Sequence, residues 1–179
     1  ESDFSGEFWA DDPPWLSRPP DVADLLRTLP RRAKRDALRT LRGSVLRTEF
    51  YALDGSSRQQ RPYTVTESVY GVREEAPLTE SDPEDRGRLF FPHVLAQRTT
   101  QWERGEDPMT QISFTDDYDS FGQPRQQTAV ALPRRSAKRS EADETRILAT
   151  HTRSTFAEPD ARLYLHDRVA QVRAFELRS

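Results

Sequence analysis

Between Phe114 and Arg135 runs FTDDYDSFGQPRQQTAVALPRR, and no other stretch constrains the fold as much. Tyr118-Asp119-Ser120-Phe121-Gly122 places Asp at a turn entry and Gly where a positive φ is needed. The flanks, Gln111 to Thr115 and Gln127 to Leu132, carry β-prone residues on alternate positions. The segment is a β-hairpin written around one turn.

Composition limits how self-contained the fold can be. Of 179 residues, 34% are hydrophobic and 32% charged, against about 45–50% apolar (counting Gly) and about 25% charged in an ordinary domain. Too little apolar material is present for a generous private core. The chain starts at Glu1 rather than Met, and no signal-peptide pattern follows. The expectation is an excised fragment of something larger. No cysteine is present, which removes disulfides, thiolate catalysis and Cys-type zinc sites. No apolar run approaches the roughly 18 residues that a membrane helix needs. A net charge of −3 gives no global attraction to nucleic acid.

Three regions succeed one another along the chain. Residues 1–20 form an extended arm, because Pro13, Pro14, Pro19 and Pro20 oppose a helix or a central strand. Phe4, Phe8, Trp9 and Trp15 lie in it among acidic residues, to dock on a neighbour or to fold back on the fragment. Residues 21–43 read as a helical segment, with Asp21 as N-cap and Asp24 three residues later. Leu25, Leu26 and Leu29 form a stripe; Pro30 interrupts it or opens a second helix, and Ala33, Ala37, Leu38 and Leu41 resume it up to Gly43. From residue 44 to 179 the period is two. The strands expected are Ser44–Leu53, Tyr63–Val72, Val94–Glu103, Thr110–Thr115, Gln126–Leu132, Arg146–Phe156 and Leu163–Leu177, the last with room for a kink. Asp54-Gly55 marks one turn and Gly105 to Pro108 another. Residues 74–88 and 134–145 are charged loops. Several strands are polar on both faces, which suits an open or spiralling sheet with water near both surfaces.

No constellation here carries chemistry convincingly. Asp116, Asp117 and Asp119 suggest a calcium loop, but counting from Asp117 puts Phe121 and Thr128 where oxygen ligands belong. Turn chemistry explains the aspartates better. His93, His151 and His166 stand alone, without His or Cys at metal spacing, and His166-Asp167 are neighbours that a strand points to opposite faces. No nucleophile elbow, P-loop or dinucleotide fingerprint is present. Glu67 and Glu103 offer two carboxylates with nothing to set them face to face. Arg27, Arg31, Arg32, Lys34, Arg35, Arg39 and Arg42 make a basic helix, read as a solvated face or as partners of the acidic arm 1–12. Arg134-Arg135 read as a soluble turn. No catalytic, cofactor-binding or metal-ligating residue is assigned.

Three segments together carry a resemblance. The Tyr118–Gly122 turn resembles the Tyr-Asp repeat of bacterial RHS and YD-repeat proteins, whose hairpins wind into a long sheet. LRGSVLRTEFYALDGSSRQQRPYTVTESVYGVRE (Leu41–Glu74), LFFPHVLAQRTTQWERGEDPMT (Leu89–Thr110) and the hairpin Phe114–Arg135 are similar to the middle-to-C-terminal region of the B component of bacterial insecticidal toxin complexes, the Tc toxins. The likeness runs over residues 35–179 and is weaker before them, though EFWADDPPWL is compatible with the family's linker.

The resemblance implies a mainly β fold of antiparallel hairpins in an RHS-type spiralling sheet, with a short helical segment near the N-terminus. It implies a non-enzymatic stretch of shell wall in a secreted complex. In that family the B and C components enclose a cytotoxic enzyme, and B docks on a pore-forming A component. The partners implied are the rest of B and the C component, with A reached indirectly, and neither nucleic acid nor direct membrane insertion. The family's propeller and the self-cleaving aspartates of its C component have no match in these residues, and no cofactor is implied. The alternative is a β-rich binding module that grips a protein or carbohydrate through the aromatic arm and one sheet face. A third reading, a dispersed acid–base enzyme, requires His151 or His166 to meet a carboxylate.

Overall fold

The structure is a computed structural model that describes residues 5–75, 88–135, 145–157 and 167–177. It is one seven-stranded sheet, every pair antiparallel, with strand order equal to chain order. Two short helices and an extended arm come first.

Helix α1, Pro20–Thr28, begins with Pro20 in the first turn after Pro19, and no side chain caps it. The cap expected of Asp21 is therefore not what starts the helix; the fixed φ of proline is. Helix α2, Arg31–Thr40, starts the same way after Pro30, so this proline opens a second helix. Gly43 follows at φ +87, a conformation that stops a helix cheaply in glycine. Val22 and Leu26 of α1, Leu29 just past its end, and Ala33 and Ala37 of α2 make a core against Val72 of the sheet. Each fully buried Leu or Val here contributes about 1.5–3 kcal/mol. The alanines keep the layer thin, and Ala37 is wholly buried.

The strands are β1 Arg47–Phe50, β2 Thr64–Glu75, β3 Leu89–Gln101, β4 Met109–Tyr118, β5 Pro124–Ala131, β6 Leu148–Phe156 and β7 Val169–Leu177. All seven expected strands form, in order. β1 is shorter than expected, while β2, β3 and β4 are longer. The 134–145 and 74–88 loops and the Leu163 end of the last expected strand lie largely outside the described residues.

Register decides which side chains share a face. Arg47 pairs Glu67, Glu67 pairs Arg98, Arg98 pairs Ile112, and the row continues through Val130 and Ala149 to Leu177. This face is ionic over β1 to β3 and apolar beyond. Between Val69 and Tyr70 the β2–β3 register slips by one, leaving Leu95 unpaired. The bulge sends Leu95 against the helix core. Pro92 is tolerated inside β3 because the pairing with β4 reaches only to Ala96.

Candidate functional site

The most organised polar cluster lies where the arm crosses the sheet. Arg47, Glu67 and Arg98 form the ionic end of the register row, and Asp12 comes down on them from the arm. Arg98 Nη1 donates to Asp12 Oδ1 at 2.7 Å, and its Nη2 lies 3.1 Å from Glu67 Oε2. Arg47 Nη2 donates to the Asp12 carbonyl at 2.6 Å and sits 2.7 Å from Glu49 Oε1. The side chains of Asp12, Arg47, Glu67 and Arg98 are all more than nine-tenths buried. Buried ions need such mutual pairing, since desolvation alone would expel them.

The carboxylates also bind the arm's backbone. Glu67 accepts from the amides of Trp15 at 3.1 Å and Leu16 at 3.2 Å, and Glu49 accepts from Trp9 N at 3.1 Å. A proline-interrupted arm forms no continuous helix or ladder to take up its N–H groups, so for Trp9, Trp15 and Leu16 these acidic side chains do it. Burial by itself raises the Glu49 carboxyl, but hydrogen bonds from Tyr51, Arg47 and Trp9 outweigh it and hold the group below the ordinary carboxylate range. Burial, then the Glu49 carboxylate, pushes the Tyr51 phenol far up. Trp9 packs edge-on against Trp102 with centroids 4.7 Å apart, and Arg47 lies 4.7 Å from the centre of the Phe8 ring. The arm folds back on its own sheet. Trp15 stays half exposed, and Phe4 is outside the described residues. Two expectations change here: the polar sheet face is not wet at this end, and the arm's Asp12 meets the sheet arginines rather than the basic helix.

At the far end of the same face stands the Tyr118–Gly122 turn. Asp119 Oδ1 accepts from the amides of Phe121 at 2.8 Å and Gln123 at 2.9 Å, and Gly122 has φ +78. This is the turn chemistry that the sequence indicates for Asp119. Asp116 accepts from the Asp117 amide, and Asp117 meets Gln126. Arg73 reaches across from β2 and donates to the carbonyls of Tyr118 at 2.8 Å and Asp119 at 3.0 Å, its guanidinium 5.2 Å from the centre of the Phe91 ring. Tyr118 Oη donates to Val94 O at 2.7 Å. His93 lies between Phe91 and Tyr118, at 5.5 and 4.9 Å between centroids. Burial depresses the His93 pKa, with nearby Arg73 adding to the effect. Gly71 leaves the space its ring needs, because a Cβ there would stand 2.5 Å from His93 Nε2.

The remaining candidates are dispersed. Glu103 lies beyond the end of β3, its amide donating to Tyr63 O, four residues along β2 from Glu67. Glu67 is already held by Arg98 and by the amides of Trp15 and Leu16, so its carboxylate is not free to serve as half of a glycosidase pair. The positive φ values of the β3–β4 turn fall on Glu103 and Arg104 rather than on Gly105. Arg104 uses that position to bind Asp54 at 2.7 Å, Ser56 Oγ and Arg58 O, tying this turn to the β1–β2 loop. The Arg104 hydrogen bond, with Ser56, holds the Asp54 carboxyl far below its usual range. His151 Nε2 accepts from Arg153 Nε at 3.3 Å, which leaves Nδ1 to donate to Thr128 Oγ1 at 2.9 Å, and its ring stacks near Phe175. His166 lies outside the described residues. Arg134 pairs with Asp107, and Arg135 lies over Trp102, so both brace the β3–β4 turn. Among the described residues no group of three or more His, Cys, Asp or Glu side chains gathers as metal ligands do. Of these features, the Asp12–Arg98 and Arg73–Tyr118 contacts escape sequence reading, because each joins residues far apart in the chain.

The comparisons with known proteins agree with this architecture. Residues 36–176 match the family model described as the insecticide toxin TcdB middle/C-terminal region. The chain therefore belongs to the family of Tc toxin B components, in their middle-to-C-terminal region. Among solved structures, a crystal structure of TcdB2-TccC3 superposes with a TM-score of 0.67 at 27% identity, over 83% of this chain and 8% of that one. A Photorhabdus luminescens Tc holotoxin pore carrying a TccC3 mutation gives 0.64 at 26%, over 81% of this chain and 7% of the other. The TcdB2-TccC3-Cdc42 crystal structure gives 0.59 at 27%, over 75% and 7%. The chain thus spans under a tenth of the length of the chains it matches. No curated protein sequence matches it. The fold is the mainly antiparallel sheet of the toxin-complex shell, with two short helices near the N-terminus.

Proposed function

We propose that the chain is a structural stretch of the wall in a secreted insecticidal toxin complex, non-catalytic, and that its sheet helps enclose and shield a cytotoxic cargo. On this reading its partners are the rest of the B component and the C component, with the pore-forming component met indirectly. It is organised as the arm 1–20, the helical segment 21–43 and the sheet 44–179. The sheet serves as wall, the helices back it near β2 and β3, and the arm seals its ionic end.

One observation carries the proposal. Strand β7 is exposed at every position, and Val169, Val172, Phe175 and Leu177 are each 44–57% exposed. No described strand lies on its outer side. A bare apolar edge of nine residues invites aggregation in a free protein, whereas in a shell it takes a neighbouring strand. Hydrogen exchange tests this. The β7 amides that point away from β6 are expected to exchange fast in the dilute isolated chain, which self-associates in sedimentation as its concentration rises, and to be protected in the assembled B–C complex. A stable, cooperative monomer with β7 protected on its own would refute it.

A further inference from the structure

Helix α2 carries its charge in a way the wall does not require. Arg31, Arg32, Lys34, Arg35 and Arg39 of α2 and Arg42 just past its end line one groove of about 770 Å³, together with Leu38. Only Arg39 has an ion-pair partner among the described residues, Asp36 at 3.4 Å. Like charges three and four residues apart destabilise a helix, and Arg31 and Arg32 occupy the first turn, where the helix dipole disfavours cations and no acidic residue offsets them. Adjoining this groove, and sharing Leu38 and Arg42 with it, is a cleft of about 730 Å³ with Phe8, Leu16, Leu41 and Leu46 on its walls. Leu46 is 61% exposed and Leu38 40%.

We propose that the outer face of α2 and the cleft beside it form a docking surface for an acidic polypeptide segment that ends in an apolar anchor. Complementarity selects this occupant. Five of the six cations are arginines, whose planar fork matches carboxylates two bonds at a time. The cleft takes the anchor. The net charge of the whole chain is −3, so everything outside these six cations sums to −9. That background repels a polyanion longer than the helix, which spans about 15 Å, so duplex nucleic acid and an anionic bilayer fit worse than a peptide.

Fluorescence anisotropy on the full chain tests the surface with three probes. They are a labelled peptide of glutamates ending in Leu-Leu, a short DNA duplex, and vesicles rich in phosphatidylserine. The peptide is expected to bind saturably, with affinity falling steeply as salt rises. The double variant Arg32→Glu/Arg35→Glu should weaken it about tenfold or more, and Leu46→Ser severalfold, while Arg173→Glu on β7 leaves it unchanged. Circular dichroism of the variants confirms that the helix survives. Equal binding by the charge-reversed variant, or tighter binding of the duplex or the vesicles than of the peptide, overturns the proposal.

Discussion

The Arg73 guanidinium lies over the ring of Phe91, 5.2 Å from its centre, and from there holds the turn that begins at Tyr118. The contact crosses from β2 over β3 to the end of β4. A turn with good local chemistry is thus also fastened by a residue two strands away.

Arg73→Lys keeps the charge but loses the planar fork that serves two carbonyls. The expected cost is about 1–2 kcal/mol, one or two hydrogen bonds to a charged donor. Thermal unfolding measures it. Arg73→Lys in a Phe91→Leu background should cost less, because the ring that seats the guanidinium is gone.

Removing one member of the buried network is expected to cost more. Arg98→Met leaves Asp12 and Glu67 buried without their shared cation, and such losses run to about 3–5 kcal/mol. Asp12→Asn keeps the shape and removes the charge, so it should loosen the arm before the sheet. Faster proteolysis within residues 5–19, with the β-sheet circular dichroism unchanged, would establish that order.

Acidification should release the arm. The folded Glu49 carboxyl lies below its ordinary value of 4.5. Its contribution is fully present above the unfolded pKa and is lost as the pH falls through the folded one. Arg47, Tyr51 and the Trp9 amide face this carboxylate, and Asp12 lies across Arg47. Tryptophan emission from Trp9 and Trp102 should therefore shift red below about pH 4.5. Glu49→Gln should flatten the stability-versus-pH curve in that window and leave the curve above pH 6 parallel to that of the parent.

Gly71→Ala should destabilise the sheet by about 1–3 kcal/mol, the range for overpacking a filled site. The added methyl meets His93 Nε2 at 2.5 Å and Leu95 Cδ1 at 3.1 Å. Pairing it with His93→Ala should recover part of the loss beyond additivity. Gly122→Ala is expected to be at least as costly, because its φ is positive and Phe91 Cζ would stand 2.7 Å from the new carbon. Urea unfolding of the three single variants and the double variant checks both statements.

The sheet was legible because its signals are local. Alternation, Asp119 with Gly122, and the Asp54-Gly55 turn each sit within a few residues, and local chemistry decides them. Pro30 left two readings open, and the structure takes the second, a new helix. The ionic site was not legible. Glu67 looks like any outward strand residue until register sets it between Arg47 and Arg98, and register is a property of three strands at once. Nor does an arm rich in proline announce that Asp12 will lie on Arg98, 86 residues away. Helix starts failed in a smaller way, since an Asp beside two prolines reads as a cap although the prolines do the work. In the β3–β4 turn a nearby glycine drew the eye from Arg104, whose positive φ serves its bond to Asp54.

Because each strand lies beside its neighbours in sequence, nothing in this sheet depends on how many strands it has. A hairpin inserted or lost between two strands changes the partners of those two alone, and every other pair keeps its neighbour. The same order lets the sheet form in the direction of synthesis, each strand finding its template already in place, because every pairing joins consecutive strands. Such a sheet can thus change its length without changing its plan.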